Sequence, residues 1–366
     1  MRTPLKSASR LVVKIGTNLL SHKGGINIEA LGRFTGQIAA LKREGRQILL
    51  VSSGAIGLGA AELGLKSRSS EVPMRQACAA IGQPLLMQQY REHFSSYGLT
   101  IAQVLITRAV LNNRRTYLNL QAAVEKLLSL GVVPIFNEND SIAVDEIGLA
   151  FGDNDRLSAM VASKTEADLL VILTDIDALY NGDPRRNPEA TPVSVVPRIN
   201  EEVKSWAGSA GSAFSTGGMK TKLAAAEIAA AAGCSIVLAN GEEPDILQRI
   251  CAGEDIGTLF LPGERISARS RWILNSAPAG TIRIDEGAVR AIRSRKSLLP
   301  SGIIDVEGLF SVGEVVAIND VAKAVTSFDS EELRKLKGHH TADVAALLGT
   351  KHREEVARPE DIVFYS

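Results

Sequence analysis

The sequence is poor in the features that mark several large protein classes. Only three cysteines occur in 366 residues, Cys78, Cys234 and Cys251, scattered and without metal-ligand spacing. That excludes a disulfide framework and a cysteine-built metal centre, and it fits buried thiols in a reducing compartment. Excess charge is also lacking: Lys plus Arg and Asp plus Glu both number 41, for a formal net charge of zero. No global field therefore draws the chain to nucleic acid or membrane, and a polyanionic ligand has to be held locally. No apolar run approaches the roughly 20 residues of a membrane span, and the basic residues 1–10 precede no signal-peptide core. The expected location is the cytoplasm. The five histidines, His22, His93, His339, His340 and His352, have no Cys or Asp partner at motif spacing. Neither a nucleophilic triad nor a paired-histidine metal site is indicated.

What is present is an ordinary globular composition, 45% hydrophobic and 22% charged, in a chain too long for one compact core. Two domains are expected. Residues 11–15 are a short β-branched run closed by Gly16, Thr17 and Asn18, which predicts a buried strand feeding a loop. Apolar positions at Ile28, Leu31, Phe34, Ile38 and Leu41 have the spacing of an amphipathic helix, which Gly45 stops. Further strands are expected at 48–51, 101–106, 132–136, 169–173, 235–239 and 258–260, with helices at 74–90, 118–130 and 220–232 between them. Strands alternating with helices predict an α/β fold with a mainly parallel sheet covered on both faces. Residues 181–197, rich in Pro, Asn and Arg, look like a surface excursion, and 262–271 like a linker. From Gly280 onward short strands punctuated by Gly287, Gly302, Gly308 and Gly313 predict a small β-rich module.

Several of these strands end in polar groups, and in parallel sheets ligands bind beyond the carboxyl ends. Ser52, Ser53 and Gly54 follow the second strand. Asn137, Glu138, Asn139 and Asp140 close another, and Thr174 and Asp175 a third. Gly152, Asp153, Asn154 and Asp155 stand where a helix begins. That cluster has two readings: helix capping by Asp153 or Asn154, with Asp155 on the positive end of the dipole, or a ligand site. Lys14, at the end of a buried strand, is either a snorkelling surface lysine or a cation aimed at a ligand, with Gly16 beside it allowing close approach. Thr216, Gly217, Gly218, Met219, Lys220, Thr221 and Lys222 combine an open backbone, hydroxyls and ammonium groups at a helix start, the makings of an anion cradle. They do not match the P-loop pattern, and a flexible loop with solvated lysines is the bland alternative. Phosphoryl transfer suits this inventory, because it asks for positioning and charge stabilisation more than covalent chemistry. Lys14 and Lys222 could flank the moving group while Asp155 and Asp175 hold their ammonium groups.

These motifs, taken in order, resemble the amino acid kinase family, and within it the members that phosphorylate glutamate. The resemblance covers nearly the whole chain. It implies a three-layer αβα domain over 1–262, a linker at 263–279, and a module at 280–366 that resembles a PUA domain. It further implies transfer of phosphate from ATP, with Mg²⁺, to the γ-carboxylate of L-glutamate, the first step of proline synthesis. By the same resemblance Lys14 and Lys222 stabilise the transferring phosphoryl group and Asp155 orients them. Ser53, Asn137, Asp140, Asp153 and Asn154 hold glutamate. Lys14, Thr174, Asp175 and residues 216–222 hold ATP. No direct protein ligand is assigned to the magnesium. Proline as inhibitor, a homodimer or homotetramer, and a glutamyl phosphate reductase taking the product are also implied. Ala324 stands where the family suggests glycine. Two competing readings are another carboxylate or carbamate kinase, acting for instance on aspartate or N-acetylglutamate, and an RNA-binding regulator with a nucleotide-sensing half. Only Arg290, Arg293, Arg295 and Lys296 form a local basic group in the second module.

Overall fold

The computed structural model describes residues 1–22, 25–65, 71–143, 154–184, 187–207, 218–264, 266–349 and 354–365. The chain divides into two compact units, one of residues 1–110 with 115–265 and one of residues 111–114 with 266–366.

The first unit is built on an eight-stranded sheet. Its strands are β1 (Arg10–Ile15), β2 (Gln47–Val51), β3 (Ile101–Ile106), β4 (Val133–Glu138), β5 (Leu169–Thr174), β6 (Val195–Val196), β7 (Ser235–Asn240) and β8 (Thr258–Phe260). They lie in the order β6-β8-β7-β5-β1-β2-β4-β3. From β7 to β3 every pairing is parallel, and β8 runs antiparallel to β7. The sequence reason is plain: β1, β4 and β5 are buried almost throughout, so their residues form continuous apolar runs rather than alternating ones. Leu11, Val12, Val13 and Ile15 are fully buried, and each such side chain stabilises the fold by about 1.5–3 kcal/mol. β1 sits between β2 on one side and β5 on the other. The chain therefore reverses its direction of winding at β1, which opens a crevice at that strand's carboxyl end.

The helices of this unit include α1 (Ile28–Arg43), α2 (Ala55–Glu62), α3 (Val72–Ser95), α4 (Arg114–Ser129), α5 (Asn154–Lys164), α6 (Met219–Ala230) and α7 (Ile246–Cys251). The Asn27 side chain caps α1 by accepting from the Ala30 N–H. Helices α2 and α3 cross with their backbones in contact. A Cβ on Gly59 would stand 1.9 Å from the Cys78 carbonyl oxygen, and one on Gly82 would stand 1.8 Å from that of Ala55. All three cysteines are buried and none forms a disulfide, and burial pushes the Cys251 thiol up to about 11. Among the described residues no helix is long and apolar enough to cross a membrane.

The second unit has a five-stranded sheet of β9 (Gly280–Ile284), β10 (Ile303–Gly308), β11 (Val315–Ile318), β12 (Ala322–Val325) and β13 (Ile362–Phe364), in the order β10-β9-β11-β12-β13. Only the β9/β11 pairing is parallel. Its own core gathers Ile282, Ile318, Phe328, Leu333 and Leu336.

Two local expectations need correction. Val195 and Val196, within the stretch read as a surface excursion, form edge strand β6 against β8. Two residues are too few to show a strand period. The stretch read as a linker carries a helix, α8 (Ala268–Asn275), whose Trp272 is fully buried and donates to the Leu111 carbonyl within the second unit. Ala324 lies within β12 opposite Val316, buried and outside the positive-φ residues, so no turn there calls for glycine.

Candidate active site

At the carboxyl end of β1 the sheet places Lys14 opposite Val51 of β2 and Ile172 of β5. The Gly16 N–H donates to the Leu173 carbonyl at 2.9 Å, which ties the loop after β1 to the end of β5. Lys14 is only 4% exposed, so the snorkelling reading fails. Its Nζ lies 2.6 Å from Asp155 Oδ1. Lys222, in the first turns of α6 and also buried, brings its Nζ to 3.0 Å from the other oxygen, Asp155 Oδ2. Thr221 Oγ1 stands 3.2 Å from that same Oδ2 and 2.8 Å from the Gly218 carbonyl. Asp155 has no exposed surface. Burial pushes its carboxyl pKa up, and the ammonium groups of Lys14 and Lys222 more than offset this, holding it well below the usual carboxylate range. The result is a carboxylate clamped between two cations from opposite parts of the chain. Such a pair can stabilise negative charge developing on a group in transfer, because it is held in a site shielded from water.

Asn154, the first residue of α5, does not cap the helix. A cap precedes the first helical residue, which Asn154 itself is, and its Nδ2 donates to the Ser52 carbonyl at 2.6 Å, to Ser53 Oγ at 2.8 Å and to Asn137 Oδ1 at 3.0 Å. This joins the ends of β2 and β4 to the start of α5. Gly54 has φ +103°, a conformation that side chains resist, and it opens α2 directly after Ser53. Ser52 is held from behind by the buried Tyr90 hydroxyl at 2.8 Å. Asn137 and Ser53 are buried, and Asp140 is half-buried on the wall of a cavity of about 310 Å³ together with Glu138 and Asn139.

Thr174 is buried at the end of β5, and its hydroxyl lies 3.0 Å from Asp175 Oδ1. Asp175 feels the charge of Lys222, while its own hydrogen bonds go to other groups. Its second oxygen accepts from Asn18 Nδ2 at 2.9 Å. Burial pushes the Asp175 carboxyl up, but the Asn18 and Thr174 hydrogen bonds outweigh it and lower its pKa. Gly218 is the extended residue before α6, Met219 is half-buried and Lys220 is exposed. Asp153, Thr216 and Gly217 lie outside the described residues. Two polar residues were missed in the sequence. One is Asn18, which stands in the loop after β1. The other is Gln83, whose Oε1 accepts from Asn137 Nδ2 at 2.9 Å. The signal for Gln83 was a Gly, Gln, Pro succession at 82–84 inside a helical pattern, a break that asks for a packing or functional reason.

The model of the amino acid kinase family matches residues 9–240, and that of the PUA domain matches residues 280–348. Glutamate 5-kinase of Methanosarcina mazei is 43% identical over 370 residues, covering 98% of this chain and 96% of that protein. Glutamate 5-kinase of Methanococcoides burtonii is 45% identical over 361 residues, covering 97% and 96%. Among solved structures, carbamate kinase from Giardia lamblia bound to AMP-PNP superposes with a TM-score of 0.52 at 15% identity, over 70% of this chain and 99% of that one. That likeness shows the shared fold alone. On the family match and the two near full-length relatives, the chain belongs to the amino acid kinase family, in its glutamate 5-kinase branch.

Proposed function

We infer that this protein transfers the γ-phosphoryl group of ATP to the γ-carboxylate of L-glutamate, giving L-glutamyl 5-phosphate and ADP, the first step of proline biosynthesis. The observation that carries the reading is the pair of buried lysines, Lys14 and Lys222, held on the two oxygens of Asp155 at the strand ends. A γ-carboxylate oxygen attacks the γ-phosphorus. The bond from that phosphorus to the β,γ-bridging oxygen breaks, and ADP leaves with the electron pair. The nucleophile is already ionised at neutral pH, so no general base is required. Lys14 and Lys222 stabilise the equatorial oxygens of the transferred group, and Asp155 keeps both ammonium groups aimed. Ser53 Oγ accepts from Asn154, which leaves its own hydrogen for a substrate carboxylate. Asn137, Asp140 and Asn154 complete the glutamate site, and we place Asp153 with them from the resemblance. Thr174, Asp175 and residues 216–222 make the ATP site, with Lys14 reaching the phosphates.

Among the described residues no group of three or more His, Cys, Asp or Glu is placed to hold a metal, and both oxygens of Asp155 face ammonium groups. This donor set suits a magnesium ion that arrives on the nucleotide phosphates and keeps its water. Bound there, the ion neutralises phosphate charge.

From the resemblance we also propose inhibition by proline at or near the glutamate site, assembly as a dimer or tetramer, a cytoplasmic location, and release of the product to a glutamyl phosphate reductase. The test of the main reading is an assay with ATP and Mg²⁺ and, in turn, glutamate, aspartate and N-acetylglutamate. Glutamate is expected to release ADP and to give a hydroxamate with hydroxylamine, whereas an acetylated amine would leave the acidic groups around it unpaired. ADP release that ignores the acceptor sinks the reading.

A further inference from the structure

The role of Gln83 follows from which amide atoms are already engaged. Asn137 Oδ1 accepts from the Glu138 N–H at 3.0 Å and from Asn154 Nδ2 at 3.0 Å, so the atom that meets Gln83 must be the donor Nδ2. Gln83 Oε1 is therefore the acceptor, and its Nε2, with two hydrogens, points the other way. Gln83 is 8% exposed, and Nε2 has no protein acceptor among the described residues. The side chain lines the cavity of about 310 Å³ beside Glu138, Asn139 and Asp140. Gln83 Nε2 is not itself a buried orphan: it reaches the open space of the cavity, where its two hydrogens can meet a ligand. The backbone beside Gln83 is held close to α2, because the neighbouring Gly82 packs against the Ala55 carbonyl with no room for a Cβ.

A polar relay thus runs from Ser53 and Asn154, next in the chain to the clamped Asp155, through Asn137 to Gln83 and the cavity. We propose that Gln83 is a specificity-determining residue. Its Oε1 fixes the orientation of Asn137, and its Nε2 donates to the α-carboxylate of the amino-acid substrate, the end away from the reacting γ-carboxylate. The ammonium of that end lies toward Glu138 and Asp140. This rests on the glutamate kinase reading above and assigns the far end of its acceptor site.

The test uses the full-length enzyme carrying Gln83→Glu, with steady-state kinetics on glutamate, on ATP and on the α-carboxamide of glutamate, whose γ-carboxylate is intact. The variant keeps an oxygen for Asn137 but sets a carboxylate against the substrate's α-carboxylate. The expected result is a KM for glutamate raised about 10- to 100-fold, the range of one lost hydrogen bond to a charged group. The KM for ATP is expected to stay within about 2-fold, and kcat/KM for glutamate relative to the carboxamide to fall about 10-fold or more, because the new carboxylate accepts from the carboxamide N–H. Should Gln83→Glu fail to fold, Gln83→Met tests the same rise in glutamate KM. An unchanged glutamate KM in a folded variant, or a parallel rise for glutamate and ATP with an unchanged substrate ratio, overturns the assignment. Wild-type enzyme that forms no hydroxamate would bring down the kinase reading itself, whereas active wild type with indifferent variants removes only the role of Gln83.

Discussion

Asn154 and Asp155 are neighbours at the start of α5, yet their side chains serve separate networks. Asn154 Nδ2 reaches Ser53 and Asn137 at 2.8 and 3.0 Å, while Asp155 takes Lys14 and Lys222 on its two oxygens. Consecutive helical residues project about 100° apart. One helix start therefore holds the neutral hydrogen-bonding half of the site and its charged half in fixed relation.

Removing one cation from this arrangement tests its use. Lys222→Ala is expected to lower kcat about 100- to 1,000-fold, the usual loss for one donor to a developing negative charge, with a smaller change in either KM. Circular dichroism on the same sample checks that the fold persists. A kcat within about 3-fold of wild type would remove Lys222 from the chemistry.

Acid should destabilise the first unit through two carboxylates. Asp155 is held low by its lysines against the effect of burial. Asp168 is likewise pushed up by burial and pulled lower by the Arg10 and Ser9 N–H groups and the Ser9 hydroxyl. A carboxyl with a lowered folded pKa stabilises the fold above its unfolded value, near 4, and that contribution is lost as pH falls through the folded value. Melting temperature is expected to drop between pH 5 and pH 3, and Asp168→Asn to flatten part of that drop. An identical pH profile for the variant would contradict the assignment.

The crossing of α2 and α3 carries a packing prediction. Gly82→Ala puts a methyl group 1.8 Å from a backbone oxygen, so the helices must separate. A loss of about 1–3 kcal/mol is expected in urea unfolding, together with weaker glutamate binding, since Gln83 moves with the helix. Wild-type stability and KM would show that the crossing is more tolerant than its geometry implies.

The strands that make the floor of the site were legible because burial on both faces writes continuous apolar runs such as Leu169 to Leu173, and polar residues at their ends stood out against them. Lys14 was legible for the same reason. Gln83 was marked only by the glycine and proline that flank it: in a helix a single glutamine looks like any solvated position, and its partner Asn137 is 54 residues away. The tight α2/α3 crossing was hidden as well, because glycines within helical patterns announce weakness before they announce contact. For Asp175 charge pointed to a lysine, and Lys222 does act on it, but nothing in the sequence marked the Asn18 amide that the fold brings to it.

Attack by the glutamate γ-carboxylate, between Lys14 and Lys222, is the step proposed for this site. It is tested most directly with glutamate labelled by ¹⁸O in that carboxylate, incubated with ATP and Mg²⁺ and trapped with hydroxylamine. Attack on the acyl carbon releases phosphate that keeps the oxygen once bridging carbon and phosphorus. Phosphate carrying one ¹⁸O atom is expected in step with hydroxamate, and unlabelled phosphate would contradict attack by that carboxylate.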